Sequence, residues 1–253
     1  MASFAARPVD HGALLASACI LLLSAVAWWW QFEQATVMAA MGEMQMPPTD
    51  WLAPAGMFAL LMWMVMMQAM MLPAVLPVFL LYRRCLQRDR QKLTKLLLFI
   101  VAYVLLWSLF ALLMTLLQGV GEQLGWLDPM LLRLPPWLGA LALLMAGLYQ
   151  LSRAKAACLQ HCQSPLGFLQ RHVRPGLSGA WRLGMQHGLY CLGCCWALML
   201  LLLVVGAMSL WGMALLALLV LAEKWLALGA GWLRFSGALL LLGAMLLGIT
   251  ALA

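Results

Sequence analysis

The chain has 253 residues, of which 66% are hydrophobic and 9% are charged, and its formal net charge is +7. Soluble domains carry about 25% charged residues, so 15 basic and 8 acidic side chains are too few to cover a surface this apolar. This composition excludes a soluble globule, a disordered chain and a disulfide-framework miniprotein. It predicts an all-α, polytopic membrane protein with one transmembrane domain over residues 1–253.

Seven segments are apolar enough, in chain order, to cross a bilayer, which requires about 20 such residues. Two longer connections lie between them. Residues 31–51 form an outer methionine-bearing loop or short helix, and residues 152–187 form a cytoplasmic Cys/His segment with one or two interfacial amphipathic helices. The seven predicted spans are Gly12–Trp30, Leu52–Tyr82, Leu93–Leu117, Pro136–Leu151, Gly188–Leu210, Trp211–Leu228 and Trp232–Leu252.

Basic residues set the orientation of these spans. In a seven-span arrangement every Lys and Arg except Arg133 falls on one side, and the opposite loops are acidic. This is the positive-inside pattern, which places the N-terminus inside and the C-terminus outside a bacterial inner membrane. The positive charge then faces lipid headgroups, and nucleic acid is not expected as a partner. Residues 1–27 also fit a cleaved signal peptide, but the Trp28–Trp30 run favours a retained first span.

Cysteine and histidine concentrate in residues 158–195. On a helix His187, Cys191 and either Cys194 or Cys195 share a face, because they are three or four residues apart. Thiolate and imidazole are preferred ligands of soft or borderline ions, so the pattern predicts a transition-metal site, with copper(I) favoured and zinc(II) second. The alternative is that these cysteines are small apolar core residues.

A second Cys/His group precedes this one, at Cys158, His161 and Cys162. We expect a sulfur of Cys158 or Cys162 to lie within reach of the later cysteines. If span five begins near His187, that shared site lies in the inner leaflet, close to the cytoplasmic interface. His172, which is flanked by arginines, is expected to face solvent or headgroups.

Methionine is the second unusual feature. Thioethers bind Cu(I), so the loop methionines predict an outer metal site and span two predicts a metal pathway. The alternative is that methionine is a flexible filler of helix packing. The outer residues are Met38, Met41, Met44 and Met46, and the pathway residues are Met64, Met67, Gln68 and Met71.

Glu223 and Lys224 lie inside the sixth predicted span. An intramembrane carboxylate is a candidate functional group, either a relay or one partner of an ion pair. We expect Glu223 to pair with Lys224, Arg182 or Arg234, and the lysine to extend its amine toward the interface.

Three strings of this sequence resemble a bacterial family described as predicted metal-binding integral membrane proteins, a domain of unknown function. The strings are Met62–Pro73, Cys158–Cys162 and Gly184–Met199, and the Glu223-Lys224 pair matches as well. The similarity runs from about Met38 to Ala244. It implies metal binding at His187, Cys191, Cys194, Cys195, Cys158, His161 and Cys162.

Residues and resemblance together predict a membrane protein that binds a soft metal for transport or for delivery to a metalloenzyme. Its expected partners are a metallochaperone or that enzyme, and no catalytic residue is assigned. One alternative is a membrane oxidoreductase using haem or the Cys191/Cys194 dithiol. Haem is disfavoured because no two intramembrane histidines lie on separate spans, and a disulfide because cytoplasmic thiols stay reduced. Another alternative is a non-catalytic assembly subunit.

Overall fold

The computed structural model describes residues 11–40, 54–128, 132–207, 209–226 and 228–252. Within these ranges every regular element is a helix, and the one strand-like contact is an isolated bridge between Asp128 and Arg133. The all-α class is therefore confirmed. The helices are α1 (His11–Ala40), α2 (Pro54–Cys85), α3 (Lys92–Gln123), α4 (Pro136–Gln150), α5 (Arg153–Gln163), α6 (Pro165–His172), α7 (Gly176–Leu200), α8 (Leu202–Val205), α9 (Leu210–Trp225) and α10 (Gly229–Leu252).

All seven apolar segments predicted from the sequence contain a helix. Five helical segments of the described chain are long and apolar enough to cross a bilayer. Helices α4 and α9 are shorter, with 15 and 16 residues, against the roughly 20 that a full crossing requires. The five long segments are His11–Val37, Gly56–Cys85, Lys92–Gln123, Gly176–Val205 and Gly229–Ala251.

Two helices extend beyond the spans predicted from the sequence. Helix α7 already begins at Gly176, directly after Pro175, and not near Gly188. The Cys191 group therefore lies in the middle of a long helical segment and not one turn inside its start. Helix α1 continues to Ala40, and Gln31 donates a buried hydrogen bond of 3.0 Å to the Met62 carbonyl of α2. The stretch after α4 does contain two short helices, α5 and α6, as the amphipathic pattern predicted.

Glycines bring α7 into close contact with α3. A methyl group at Gly184 would lie 2.3 Å from the Phe99 carbonyl oxygen, and one at Gly188 would lie 3.0 Å from the Leu106 side chain. These two glycines are four residues apart and so lie on one face of the helix. Small residues at this spacing let transmembrane helices approach closely, since burial from water adds little between helices in lipid. Helices α4 and α10 pack in the same way through Gly147 and Gly237.

The outer surface of the helices is apolar. On α3 a stripe of leucines is about half exposed: Leu105, Leu109, Leu113 and Leu116. A soluble protein rarely exposes an apolar area this continuous, whereas lipid chains solvate it without cost. The side chains of Cys191, Cys195, His187 and Lys224 are instead buried among the helices.

Candidate metal site

Three cysteine side chains lie side by side within α7. Cys191, Cys194 and Cys195 are each only 1% exposed. The thiols of Cys194 and Cys195 both donate to the Cys191 carbonyl oxygen, at 3.0 and 2.8 Å. Because these residues are three and four positions after Cys191, their sulfur atoms occupy neighbouring positions on the helix surface.

The amine of Lys224, from α9, lies against this group. Its Nζ is 2.8 Å from Cys191 Sγ, 3.8 Å from Cys195 Sγ and 3.9 Å from Met71 Sδ of α2. Three helices therefore meet at one cationic nitrogen whose nearest partners are sulfur atoms. Lys224 is only 5% exposed, so the expectation that it reaches the interface is wrong. Its amine instead lies between sulfur atoms of α7 and α2.

Tyr103 of α3 closes this group from another side. Its hydroxyl donates to the Met71 carbonyl oxygen at 3.0 Å and lies 3.1 Å from Cys191 Sγ. The same ring stacks on His187, with ring centres 5.8 Å apart. His187 is 2% exposed, and its Nδ1 has no hydrogen-bond partner within the described residues. A buried imidazole nitrogen without a partner loses hydration energy, so it favours a donor or a metal when one is present.

The earlier Cys/His group meets the later one, as the sequence predicted. Cys162 Sγ of α5 lies 4.0 Å from Cys194 Sγ of α7. Cys158 packs against Gly193, where an added methyl would lie 2.9 Å from its sulfur. The contact with Cys194 and burial raise the pKa of the Cys162 thiol well above its usual value, and burial raises the pKa of Cys158. All seven cysteines are free thiols in this structure.

His161 does not join the buried sulfur atoms. Its ring stacks on Tyr190, with centres 4.0 Å apart, on the side of α5 that faces α6. His172, expected to face solvent or headgroups, is half-buried and stacks on Phe168. That expectation is thus wrong in part, because Phe168, one turn earlier on α6, covers one face of the ring.

Glu223 pairs with a residue that the sequence did not identify. Its Oε2 lies 2.8 Å from Nζ of Lys155 on α5. The ion pair is thus formed with Lys155 and not with the expected Lys224, Arg182 or Arg234. Successive residues on a helix point about 100° apart, so Glu223 and Lys224 face different neighbours. Gln150 of α4 bridges this ion pair: it accepts from Lys155 at 2.5 Å and donates to Glu223, and it also donates to Ser236 of α10 at 2.8 Å.

Lys155, Gln150 and Tyr103 are the site residues that the sequence reading missed. Each could have been suspected as an isolated polar group within or beside an apolar segment, since such groups need partners in lipid. Lys155 also lies three residues before Cys158, which puts both on one face of α5.

The span-two residues differ in burial. Met67 and Met71 are fully buried, whereas Met64 and Gln68 are half-buried. Gln68 donates a long hydrogen bond of 3.4 Å to the Val104 carbonyl, and its Oε1 has no partner within the described residues. The outer methionine site falls outside the described side chains: only the backbone of Met38 is described, and Met41, Met44 and Met46 are not.

The donors that meet at Lys224 are two thiols and a thioether, a set that suits a soft ion. Among the described residues no three His, Cys, Asp or Glu side chains are arranged to hold a metal ion. The sulfur atoms are instead spread around the lysine amine, at distances longer than the ~2.3 Å of a metal–thiolate bond.

A family model described as PpoB2, copper chaperone, matches residues 60–247 of the chain. The matched range contains α3 to α9 in full, and with them every residue of the Lys224 and Glu223 environments. No curated protein and no solved structure matches the chain. The expected relation to a metal-binding family is confirmed at this level.

Proposed function

Since the chain belongs to the PpoB2 family of copper chaperones, we propose that it is a bacterial inner-membrane protein that holds Cu(I) among buried sulfur atoms. It hands this ion to a copper-using enzyme. The metal is therefore its cargo. The observation that carries the proposal is the contact of one lysine amine with Cys191, Cys195 and Met71.

The lysine amine marks a place where a cation fits between sulfur donors. Cu(I) bound there needs bonds of about 2.3 Å to sulfur, so the amine moves aside and the three sulfur atoms close in. Soft thiol and thioether donors hold Cu(I) and are poor ligands for hard ions such as Mg²⁺ or Ca²⁺. Cys194, Cys162 and His187 lie next to these donors and supply alternative ligands through which the ion can move.

Charge balance at this place favours Cu(I) over zinc(II). Cu(I) with two thiolates carries one net negative charge, which the adjacent ammonium of Lys224 neutralises. Zn(II) with the same thiolates is already neutral, so Lys224 would remain as an uncompensated positive charge. An unpaired charge away from water is strongly unfavourable. Lys224 thus supports the monovalent ion, which was the favoured one on donor type alone.

Buried methionines connect this place with the rest of α2. Met62, Met66, Met67, Met70 and Met71 are all at most 2% exposed. Met67 and Met71 are one turn apart, as are Met62 and Met66, so their thioethers follow one another along the buried side of α2. This supports a thioether pathway through α2 that contains Met67 and Met71, with Met64 and Gln68 at its half-buried margin.

The topology we propose has seven crossings, with the N-terminus inside. The charge distribution supports it. Helices α4 and α9 would form two short crossings, and each packs against other helices of the bundle. Labelling of a Gly42→Cys variant by a membrane-impermeant thiol reagent tests this orientation. Modification only from the cytoplasmic face of inverted vesicles would contradict it.

The metal site is tested by Cu(I) titration of the full chain in nanodiscs, combined with X-ray absorption at the copper edge. We expect sulfur neighbours in the wild type and loss of tight binding in Met71→Leu/Cys195→Ser. The matched control, Met57→Leu/Cys85→Ser, changes the same residue types at exposed positions of α2 and keeps the copper. Equal binding by both double variants would exclude this site.

Delivery needs a separate measurement. In cells that lack the chain, we expect copper-dependent oxidase activity of the membranes to fall and to return with the wild-type gene. The Met71→Leu/Cys195→Ser variant should not restore it, although it is present in the membrane. Full restoration would argue against delivery from this site.

A dithiol oxidoreductase is the second candidate, because Cys162 and Cys194 lie 4.0 Å apart on different helices. Their closure into a disulfide releases two electrons and two protons, which a quinone or other membrane acceptor would have to take. Quinone reduction by the copper-free protein would support this activity, and its absence in Cys162→Ser would assign it.

A further inference from the structure

Away from the buried sulfur atoms, two histidines meet where α5, α6 and α7 join. The rings of His161 and His172 lie 6.2 Å apart, centre to centre, at an angle of 65°. Both residues are half-buried. Tyr190 supports His161, and Phe168 supports His172.

Hydrogen bonds determine which nitrogen of each ring is free. Nδ1 of His161 is 2.9 Å from the Ala157 carbonyl oxygen, and Nδ1 of His172 is 2.9 Å from the Phe168 carbonyl oxygen. A carbonyl oxygen can only accept, so Nδ1 carries the proton in each ring, and Nε2 keeps its lone pair. A backbone bond of this kind orients many metal-ligating histidines, and within the described residues neither Nε2 has a partner.

The distance between the rings fits one shared ion. Metal–imidazole bonds of about 2.0 Å place the centres of two rings that share a metal roughly 5 to 6.5 Å apart, depending on the bond angle. The observed separation of 6.2 Å lies within this range, near its upper end. Cu(I) accepts two donors in a line, whereas structural zinc almost always requires four ligands.

From this geometry we propose that His161 and His172 form a second Cu(I) site, at the surface, which exchanges the ion with the buried sulfur atoms. His161 is followed directly by Cys162, whose sulfur lies 4.0 Å from Cys194 Sγ. The two sites therefore share helix α5, which carries both His161 and Cys162. This inference rests on the proposed function for its cargo, and the site itself is tested separately.

The test uses the full chain in nanodiscs, with Cu(I) supplied under anaerobic conditions as its acetonitrile complex. In a Cys191→Ser/Cys195→Ser background we expect one bound copper ion with nitrogen neighbours in its X-ray absorption spectrum. Adding His161→Gln/His172→Gln should remove that ion. Adding His11→Gln, which changes an exposed histidine at the start of α1, should leave it.

Several outcomes overturn the inference. Copper that survives His161→Gln/His172→Gln, or that shows only sulfur neighbours in the Cys191→Ser/Cys195→Ser background, assigns the ion to other residues. If the His161→Gln/His172→Gln variant alone binds as many ions as the wild type, the pair is not a site, while the sulfur site stands. If the serine background binds as much sulfur-coordinated copper as the wild type, the proposed sulfur site fails independently.

A measurement on the unmodified chain removes any dependence on the folding of variants. Diethyl pyrocarbonate acylates imidazole nitrogens that are free and accessible. We expect Cu(I) to slow the modification of His161 and His172 severalfold and to leave that of His11 unchanged. Equal rates with and without Cu(I) at all three histidines would contradict the proposal.

Discussion

Two buried lysines, Lys155 and Lys224, lie in opposite chemical environments. Glu223, the partner of Lys155, directly precedes Lys224 on α9. Lys155 is fully enclosed and bonds to the carboxylate of Glu223 and to Gln150. Lys224, the next residue after Glu223, contacts the sulfur atoms of Cys191, Cys195 and Met71. The first lysine has a permanent partner of opposite charge. The second has partners that also bind soft metal ions.

We therefore assign different roles to the two lysines, one in stability and one in metal binding. A buried carboxylate–lysine pair with further hydrogen bonds holds helices in place, because removing either member leaves an unpaired charge. Polarizable sulfur atoms around an amine can accept another cation in its place. We infer that Glu223 and Lys155 join α4, α5, α9 and α10, and that Lys224 sets the charge of the copper site.

The largest effect is expected from breaking the carboxylate pair. Glu223→Gln should lower the free energy of unfolding by about 3–5 kcal/mol, since Lys155 then remains charged and buried without a counter-ion. Denaturant unfolding in detergent measures it. The double variant Lys155→Met/Glu223→Met should recover most of the loss and keep Cu(I) binding. Wild-type stability of Glu223→Gln would show that the pair is not structural.

On the sulfur side, Cys191→Ser should weaken Cu(I) binding by more than about 100-fold. Removing a residue that hydrogen-bonds to a metal ligand lowers metal affinity about 10–100-fold. Removing a direct ligand should lower it more. Competition with a chromophoric Cu(I) chelator measures the affinity. Cys85→Ser, at the exposed end of α2, is the control and should bind as the wild type does. An unchanged affinity in Cys191→Ser would move the site elsewhere.

Replacing Lys224 tests whether its positive charge selects the metal ion. Lys224→Met should lower Cu(I) affinity about tenfold and raise Zn(II) affinity, because the buried positive charge is gone while both thiols remain. Parallel titrations with the two ions measure the change in preference. Lys155→Met/Glu223→Met should leave the preference as it is. The same preference in Lys224→Met and wild type would refute the charge-balance argument.

The smallest effect is expected at Tyr103. Tyr103→Phe removes one hydroxyl that bonds to the Met71 carbonyl and contacts Cys191, which should cost about 1 kcal/mol and a severalfold loss of Cu(I) affinity. Chelator competition and thermal unfolding measure both. Tyr82→Phe, whose hydroxyl has no hydrogen-bond partner within the described residues, should show neither change. Equal behaviour of the two variants would remove Tyr103 from the site.

The fold class and the grouping of donors could be predicted from the sequence. Long apolar segments in a chain with few charges have to be helices in a bilayer, because backbone groups must bond internally there. Cys191, Cys194 and Cys195 fall together because helical spacing places residues three and four apart on one face. Their meeting with Cys162 was also predicted, since both groups share ligand chemistry and border the same connection.

The ends of the helices and the long-range partners of their side chains could not be predicted, because both depend on packing. Helix α7 starts at Gly176 and packs closely on α3 at Gly184, a contact that an average of hydropathy along the chain does not register. His172 was expected to face solvent because it stands between arginines, yet the path of α6 brings it to His161. Such contacts depend on how the connections fold back, which local residue preferences do not specify.

By itself the sequence determined that this chain is helical, that it has apolar segments long enough to span a bilayer, and that it carries soft donors, because composition and short-range helical spacing decide these properties. Only the tertiary structure decided which lysine faces the carboxylate and which faces the sulfur atoms. Neighbouring residues on α9 diverge by about 100°, and their surroundings come from helices far apart in the chain. In a medium of low dielectric that choice of neighbour decides whether a buried charge holds the fold together or balances a metal ion.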